Sequence, residues 1–422
     1  MALPLAFAGM PLYMYMPDYY VREWGVSLSV AGVLLLVLRC VDAGQDLIIG
    51  HLCDRHSARR GQAMALGFLI LVAGMAAILH GPPVAVIATA WFACAIALAA
   101  LGLSVMSINM ALIGGFWQAE SRGRLRVAAW RESFTLAGMI IAVALPFILQ
   151  WYMDEADSFF LLFWVFAGFA AAGAFFFRRF WVRHGEIFKR AGAAGGWDFF
   201  EGNRGFLVTC FLTHLAAALP AALFLFFVRD YMGLAEATGL FLLLYLGSGI
   251  AGMPLWQIFA ARWGQARAWT ISMVLAVAAF AATLFITPGN AVAFAAICVL
   301  SGMALGADLS IPPSMMAVRL AARGQEAQGS RAFAVMNMIP KLALGLASGG
   351  ALLVLGQAGY EAGGAENTPQ VLGLLVSLYA GVPCVMKLGA AFMLRQSEKR
   401  FKQGVNDEIS ERSVGDGRSY GA

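Results

Sequence analysis

Read for hydropathy alone, the chain is a series of long apolar runs separated by short polar ones. Twelve runs can be marked, at roughly 2–20, 27–52, 62–80, 84–117, 125–149, 159–177, 206–228, 237–261, 268–287, 291–317, 332–356 and 370–394. A helix needs about 20 apolar residues to cross a bilayer, so the pattern predicts twelve transmembrane helices. The fourth run exceeds one straight helix, and part of it is tilted or belongs to a connecting loop. Alternation over about ten residues, the mark of a membrane barrel, is missing from these runs.

Composition sharpens the class. Of 422 residues, 61% are hydrophobic and 13% charged, with a mean hydropathy of +0.75, whereas soluble domains carry about 25% charged residues. The fold class expected is an all-α membrane protein. The net charge of +5 reports loop charge, and no nucleic-acid partner is expected. Cys40, Cys53, Cys94, Cys210, Cys298 and Cys384 lie in or beside apolar runs without a CxxC pair, so neither a disulfide nor a structural metal site is expected. Residues 1–20 lack a charged n-region and a cleavage site, and read as the first retained helix.

The loops alternate in charge. Arg55, Arg59 and Arg60 follow the second run, Arg122, Arg124 and Arg126 the fourth, and Arg319, Arg323 and Arg331 lie between the tenth and eleventh. The intervening loops carry acids instead, among them Asp154, Glu155, Asp157, Glu361 and Glu366. The positive-inside rule places both termini in the cytoplasm, with the bacterial inner membrane as the expected location. The domain plan is a six-helix bundle over 1–177, a cytoplasmic central loop over 178–205, a second six-helix bundle over 206–395 and a disordered tail over 396–422. The halves look like repeats: GHLCDRHSARRG at 50–61 is matched by WQIFAARWGQAR at 256–267, each a basic turn leading into another apolar run.

The candidate chemistry begins where lipid-spanning sequence carries charge. Arg39, Asp42 and Asp46 interrupt the second run. Their spacings of three and four put them on one helix face, about 6 Å apart at Cβ. A charge at mid-bilayer costs roughly 3 kcal/mol on insertion scales, so all three must face protein or a wet cavity. Two such carboxylates repel and favour holding a proton or a cation; the plainer alternative is a salt-bridge network with Arg39. Further charges inside runs are Arg131, Glu132, Asp308, Lys341 and Lys387. Glu132 is expected to point about 100° from Arg131 around its helix. Lys387 has no evident acidic partner and reads as structural. The five histidines, His51, His56, His80, His184 and His214, are scattered, which argues against a membrane enzyme.

Two six-helix halves of parallel topology are the plan of the major facilitator superfamily. Gly50, Asp54, Arg55, Arg59 and Arg60 resemble that superfamily's loop 2–3 signature, which implies a cytoplasmic gate latch: Gly for close packing, Asp for capping a helix or pairing with an Arg. Ala261 stands where the second copy would hold an acid. Within the superfamily, RxxDAxxD resembles helix II of the glycoside–pentoside–hexuronide:cation symporters, the melibiose permease family. FWQAESRGRLRVAAWRESFTLAG (116–138), GADLSIPPSMMA (306–317) and MNMIPKLALGLASG (336–349) resemble its helices IV–V, X and XI.

The resemblance implies roles. Asp42 and Asp46 match the acids that bind the coupling cation, and Lys341 the lysine beside them. Arg131 and Trp117 match residues that help bind substrate, together with Lys341; Arg39 joins the charge network. It implies no cofactor beyond a coupling cation, H+ or Na+. Four positions depart: Ala6 and Ile113 stand where the melibiose permease branch places sugar-gripping acids, Met110 where it has a hydroxyl, and Leu47 where the family usually has a Pro after the second acid. Losing the hydroxyl favours a proton, since sodium needs a shell of several oxygens. The expected activity is cation-coupled symport of a small organic solute, sugar or glycoside included, by a monomer in contact with membrane lipid. A lipid or amphiphile carrier on the same fold, and a receptor or assembly factor without flux, are the alternatives.

Overall fold

The computed structural model describes residues 1–26, 28–84, 87–118, 120–149, 152–188, 197–360 and 367–418. Every regular element among them is helical. In chain order the helices are α1 (Ala2–Met10), α2 (Met16–Glu23), α3 (Leu28–Arg55), α4 (Arg60–His80), α5 (Ala88–Phe116), α6 (Ser121–Leu149), α7 (Glu155–His184), α8 (Asp198–Phe226), α9 (Thr238–Trp263), α10 (Gln265–Thr283), α11 (Ala291–Ala322), α12 (Gly329–Gln357), α13 (Pro369–Val376) and α14 (Val382–Arg418). One π-helical turn, Pro11–Tyr15, joins α1 to α2 as a single span, and Ser377–Gly381 joins α13 to α14. The seventh span ends in a third such turn, Phe227–Tyr231.

The twelve spans of the sequence reading are all helical. Ten helical segments are long and apolar enough to cross a membrane by composition alone. α3 carries the charges Arg39, Asp42 and Asp46. The overlong fourth run resolves into α5, which begins at Ala88. At the other end, α14 continues as helix to Arg418, where the sequence reading expects a disordered tail. Arg395 to Lys402 contains no Gly or Pro. Here Arg319 of α11 pairs with Glu398 and donates to Ser397 Oγ, which ties this turn of α14 down.

The chain divides into two compact units. The first takes Met1–Ala194 together with Gly329–Lys341, and the second takes Gly195–Gln328 and Leu342–Ala422. The first unit therefore includes the opening turns of α12, far away in sequence.

Helices in lipid gain little from hydrophobic contact with each other and associate through close packing of small residues. In the first unit, Gly74 and Gly102 set the α4–α5 seam. A Cβ on Gly102 would lie 2.4 Å from the Leu71 nitrogen, and one on Gly74 would lie 2.5 Å from that of Ala99. In the second unit, α9 and α11 meet at Gly302, where a Cβ would lie 2.2 Å from the Tyr245 carbonyl oxygen. Aromatic packing adds to it, with Phe227 and Tyr379 stacked at 4.0 Å between ring centroids. Apolar side chains such as Leu66, Leu69, Val385 and Phe392 stay exposed, the face such helices present to lipid.

Candidate functional site

The first unit brings together three of the residues singled out by sequence. Asp42 and Asp46 lie one turn apart on α3, both buried. Lys341, at the point where α12 leaves this unit, places its Nζ 2.8 Å from Asp42 Oδ2 and 2.8 Å from Asp46 Oδ2. Its third donor reaches Ser104 Oγ on α5 at 3.1 Å, so the ammonium is saturated. Asp42 Oδ1 accepts from Gln45 Nε2 at 2.8 Å and from Ser104 Oγ at 3.0 Å. Asp46 Oδ2 also accepts from Asn337 Nδ2 at 2.9 Å.

With both carboxylates ionised, these three groups carry a net charge of −1 among the described residues. Asp46 Oδ1 is buried and has no hydrogen-bond partner among the described residues. A buried acceptor left in that condition is costly. Arg39 lies on α3, but its side chain falls outside the described residues. No group of three or more His, Cys, Asp or Glu able to hold a metal ion occurs among the described residues.

Beside this cluster lies a cavity of about 370 Å³, lined by α1, α5 and α6 and by Asn337. Arg131 and Glu132 both line it. They are ion-paired, with Arg131 Nη2 at 2.6 Å and Nε at 2.8 Å from Glu132 Oε1. The 100° expected between them is overcome by the length of the Arg side chain. Ala6 and Met110, two of the four departures from the family pattern, line the same cavity. Ile113, another of them, is buried and does not line it. Trp117 is also elsewhere: it caps the C-terminal end of α5, is 40% exposed, and stands edge-on to Phe180 at 4.9 Å.

The loop 2–3 motif forms a second polar centre in the first unit. Asp54 is buried, and its carboxylate accepts the backbone N–H groups of Ser330 and Arg331, each at 2.9 Å. It thus sits on the first turn of α12, where a helix favours negative charge. Arg331 Nε adds an ion pair at 3.1 Å. Arg60 is buried too, and donates to Asn109 Oδ1, Ser330 Oγ and the Phe188 carbonyl. Gly50 permits this approach, since a Cβ there would lie 2.5 Å from that of Ala334. Arg55 and Arg59 are exposed. The buried polar centre of the motif is therefore Asp54 with Arg331 and Arg60, while Arg55 lies exposed outside it.

The second unit holds a charge pair that sequence did not pair. Lys387, read as lacking an acidic partner, is bonded to Asp308, whose other oxygen accepts from Trp269 Nε1 at 2.9 Å. The helices are distant in sequence, so no local spacing announces it. Gln45 and Asn337 were also passed over, although each lies three or four residues from a charge on the same helix face; Ser104 carries no such signal.

Polytopic helices, a buried acid–lysine cluster and an adjoining cavity define a membrane transporter of the major facilitator fold. The chain belongs to the family described as MFS/sugar transport protein, whose profile matches residues 1–396. No curated protein matches it. Among solved structures, it is similar to a bacterial homologue of the iron transporter ferroportin in an outward-facing state, at 16% identity over 94% of this chain and 97% of that one, with a TM-score of 0.71. It is also similar to the fucose:proton symporter of E. coli, at 14% identity over 92% of this chain and 97% of that one, with a TM-score of 0.63. At these identities the likeness is one of fold.

Proposed function

We propose that the protein is a secondary transporter that couples entry of a proton to symport of a small organic solute by alternating access. The observation that carries this reading is Asn337. It lines the cavity and donates to Asp46, so the place where a solute would bind and the place where a proton would bind share one side chain. Protonation of Asp46 would remove the excess negative charge and leave Lys341 balanced by Asp42. Asn337 would then be free to turn its amide to a solute. The Asp54 clasp would part as the solute is released, and loss of the proton would reset the cluster.

The cavity supports a compact solute. Its volume is near the lower end of the range usual for small-molecule sites. The Arg131–Glu132 pair offers a fork of donors and a strong acceptor, as hydroxyl groups or a polar head require. Leu5, Ala6, Leu103 and Met110 line the same space and would accept an apolar body. Those residues favour a glycoside or a short amphiphile over a sugar gripped by two acids. The fucose:proton symporter's name adds a precedent for proton coupling on this fold.

The test uses the purified protein in sodium-free proteoliposomes with an imposed pH gradient, screened against sugars, glycosides, organic anions and lysolipids. The wild type is expected to accumulate its solute above equilibrium. The Asp42→Asn/Asp46→Asn double variant is expected to lose accumulation while retaining counterflow exchange. Full accumulation by the double variant would remove the coupling role from these residues.

A further inference from the structure

One cavity of the second unit lies outside any part of the transport reading. It measures about 920 Å³ and sits between the start of α10 and the last apolar turns of α14. Arg267, Arg395, Lys399 and Lys402 line it. None of the four makes an ion pair among the described residues, whereas Glu398, the one acid in the lining, is paired with Arg319. Arg319 is itself buried between the rings of Phe206 and Phe401, so Glu398 does not neutralise the rim. Among the described residues, the cavity thus offers four cationic side chains without an ion pair.

Its floor is apolar. Ile271 and Phe392 line it and are 42% and 64% exposed. Below them the exposed face continues along both helices, through Val274 on α10 and through Leu388 and Val385 on α14. The spacings 271–274 and 385–388–392 keep each series on one helix face. A soluble anion would have no use for this stripe. A phospholipid would use both parts, its phosphate at the cationic rim and its chains along the stripe. Basic pockets between membrane helices, on the face where basic loops gather, are suited to anionic headgroups.

We propose that this rim and stripe form a binding site for one anionic phospholipid, held by Arg267, Arg395, Lys399 and Lys402. The occupied site also ties α10 to α14, two helices that pack together, through a ligand from the bilayer. Four cations match a lipid with two phosphates, such as a diphosphatidylglycerol, better than one with a single phosphate.

The test is native mass spectrometry of the full-length protein after reconstitution with equal amounts of diphosphatidylglycerol and phosphatidylcholine, with thermal unfolding as a second readout. The wild type is expected to retain the anionic lipid and to gain thermal stability from it. Lys399→Gln/Lys402→Gln should weaken retention about 30-fold, roughly fivefold for each cation lost near a membrane surface. Lys399→Arg/Lys402→Arg should retain it, which separates charge loss from misfolding. Arg179→Gln/Arg183→Gln, an equal charge loss on α7, should leave retention unchanged. The proposal is overturned if that control weakens retention as much as the Gln pair does. Equal retention by the Gln variant would overturn it, and so would inorganic phosphate that stabilises the protein as well as the lipid does.

Discussion

Each unit buries a lysine against aspartate, and the two burials differ in charge balance and in closure. In the second unit, Lys387 meets Asp308 one to one. Their side chains are only 4% and 9% exposed, Trp269 occupies the second carboxylate oxygen, and neither charged residue lines a cavity described above. In the first unit, Lys341 meets two aspartates, one oxygen of Asp46 is left without a partner, and the lysine side chain is 19% exposed. Charge balance and closure make the first arrangement a fixed joint. Under the proposed coupling, charge imbalance beside a cavity is what would let the second one take up and release a positive charge. Both lie in apolar helices, so charge within such a helix does not by itself mark the proposed coupling site; the proposal rests on the stoichiometry.

The sharpest way to break this contrast is to remove each lysine in turn. Lys387→Met leaves Asp308 buried with no counter-charge, and should destabilise the protein by about 3–5 kcal/mol, read as a large fall in thermal unfolding temperature and in yield. The Asp308→Asn/Lys387→Met double variant should recover most of that loss, because a buried pair replaced as a whole is often neutral. Lys341→Met should behave otherwise. The aspartates can share a proton from the adjoining cavity, so stability should change little while proton-driven accumulation is lost. A Lys341→Met protein that unfolds as readily as Lys387→Met would erase the distinction.

What was legible in the sequence follows the same line. Asp42, Asp46 and Lys341 stand out because charge in an apolar run has no cheap explanation, and each could be named before any contact was known. Partners were harder. Among Arg55, Arg59 and Arg60, only the last turns inward, because the 3-10 turn Ser57–Arg59 resets the helical phase between α3 and α4. No hydropathy pattern reports that reset. Arg331 belonged by charge to a basic loop, yet it opens the second turn of contacts around Asp54 from nearly three hundred residues away. The Lys387–Asp308 pair, 79 residues apart, is invisible to local spacing for the same reason. Glu132 was left open because the angle between neighbouring residues speaks of Cα directions, and a long Arg side chain can fold back over it.

The loop motif allows a smaller test of buried against exposed charge. Asp54→Asn should cost about 1.5–3 kcal/mol, the worth of hydrogen bonds to a charged group, since Arg331 and the first turn of α12 lose an anion. Arg55→Gln and Arg59→Gln, at exposed positions of the same motif, should stay within about 0.5 kcal/mol of wild type. Thermal unfolding of the three variants side by side decides the matter. A loss at Arg55 equal to that at Asp54 would return Arg55 to the latch.

The smallest expected effect is also the one that tests placement most directly. Trp117 was assigned to substrate by resemblance, and Glu132 was not. The structure seats Glu132 in the cavity wall and Trp117 at the end of α5, against Phe180 and His184. Using the solute found by the proteoliposome screen, Glu132→Gln should weaken binding at least tenfold, as loss of a charged acceptor does. Trp117→Ala should change it by no more than about twofold, since truncating a surface residue away from the ligand usually moves energies by about 0.5 kcal/mol or less. Thermal-shift titration resolves a gap of that size. If Trp117→Ala lost tenfold and Glu132→Gln nothing, the solute would bind at the end of α5. The shared Asn337 would then link the proton site to a cavity that the solute does not use, and the coupling scheme would fail along with the placement.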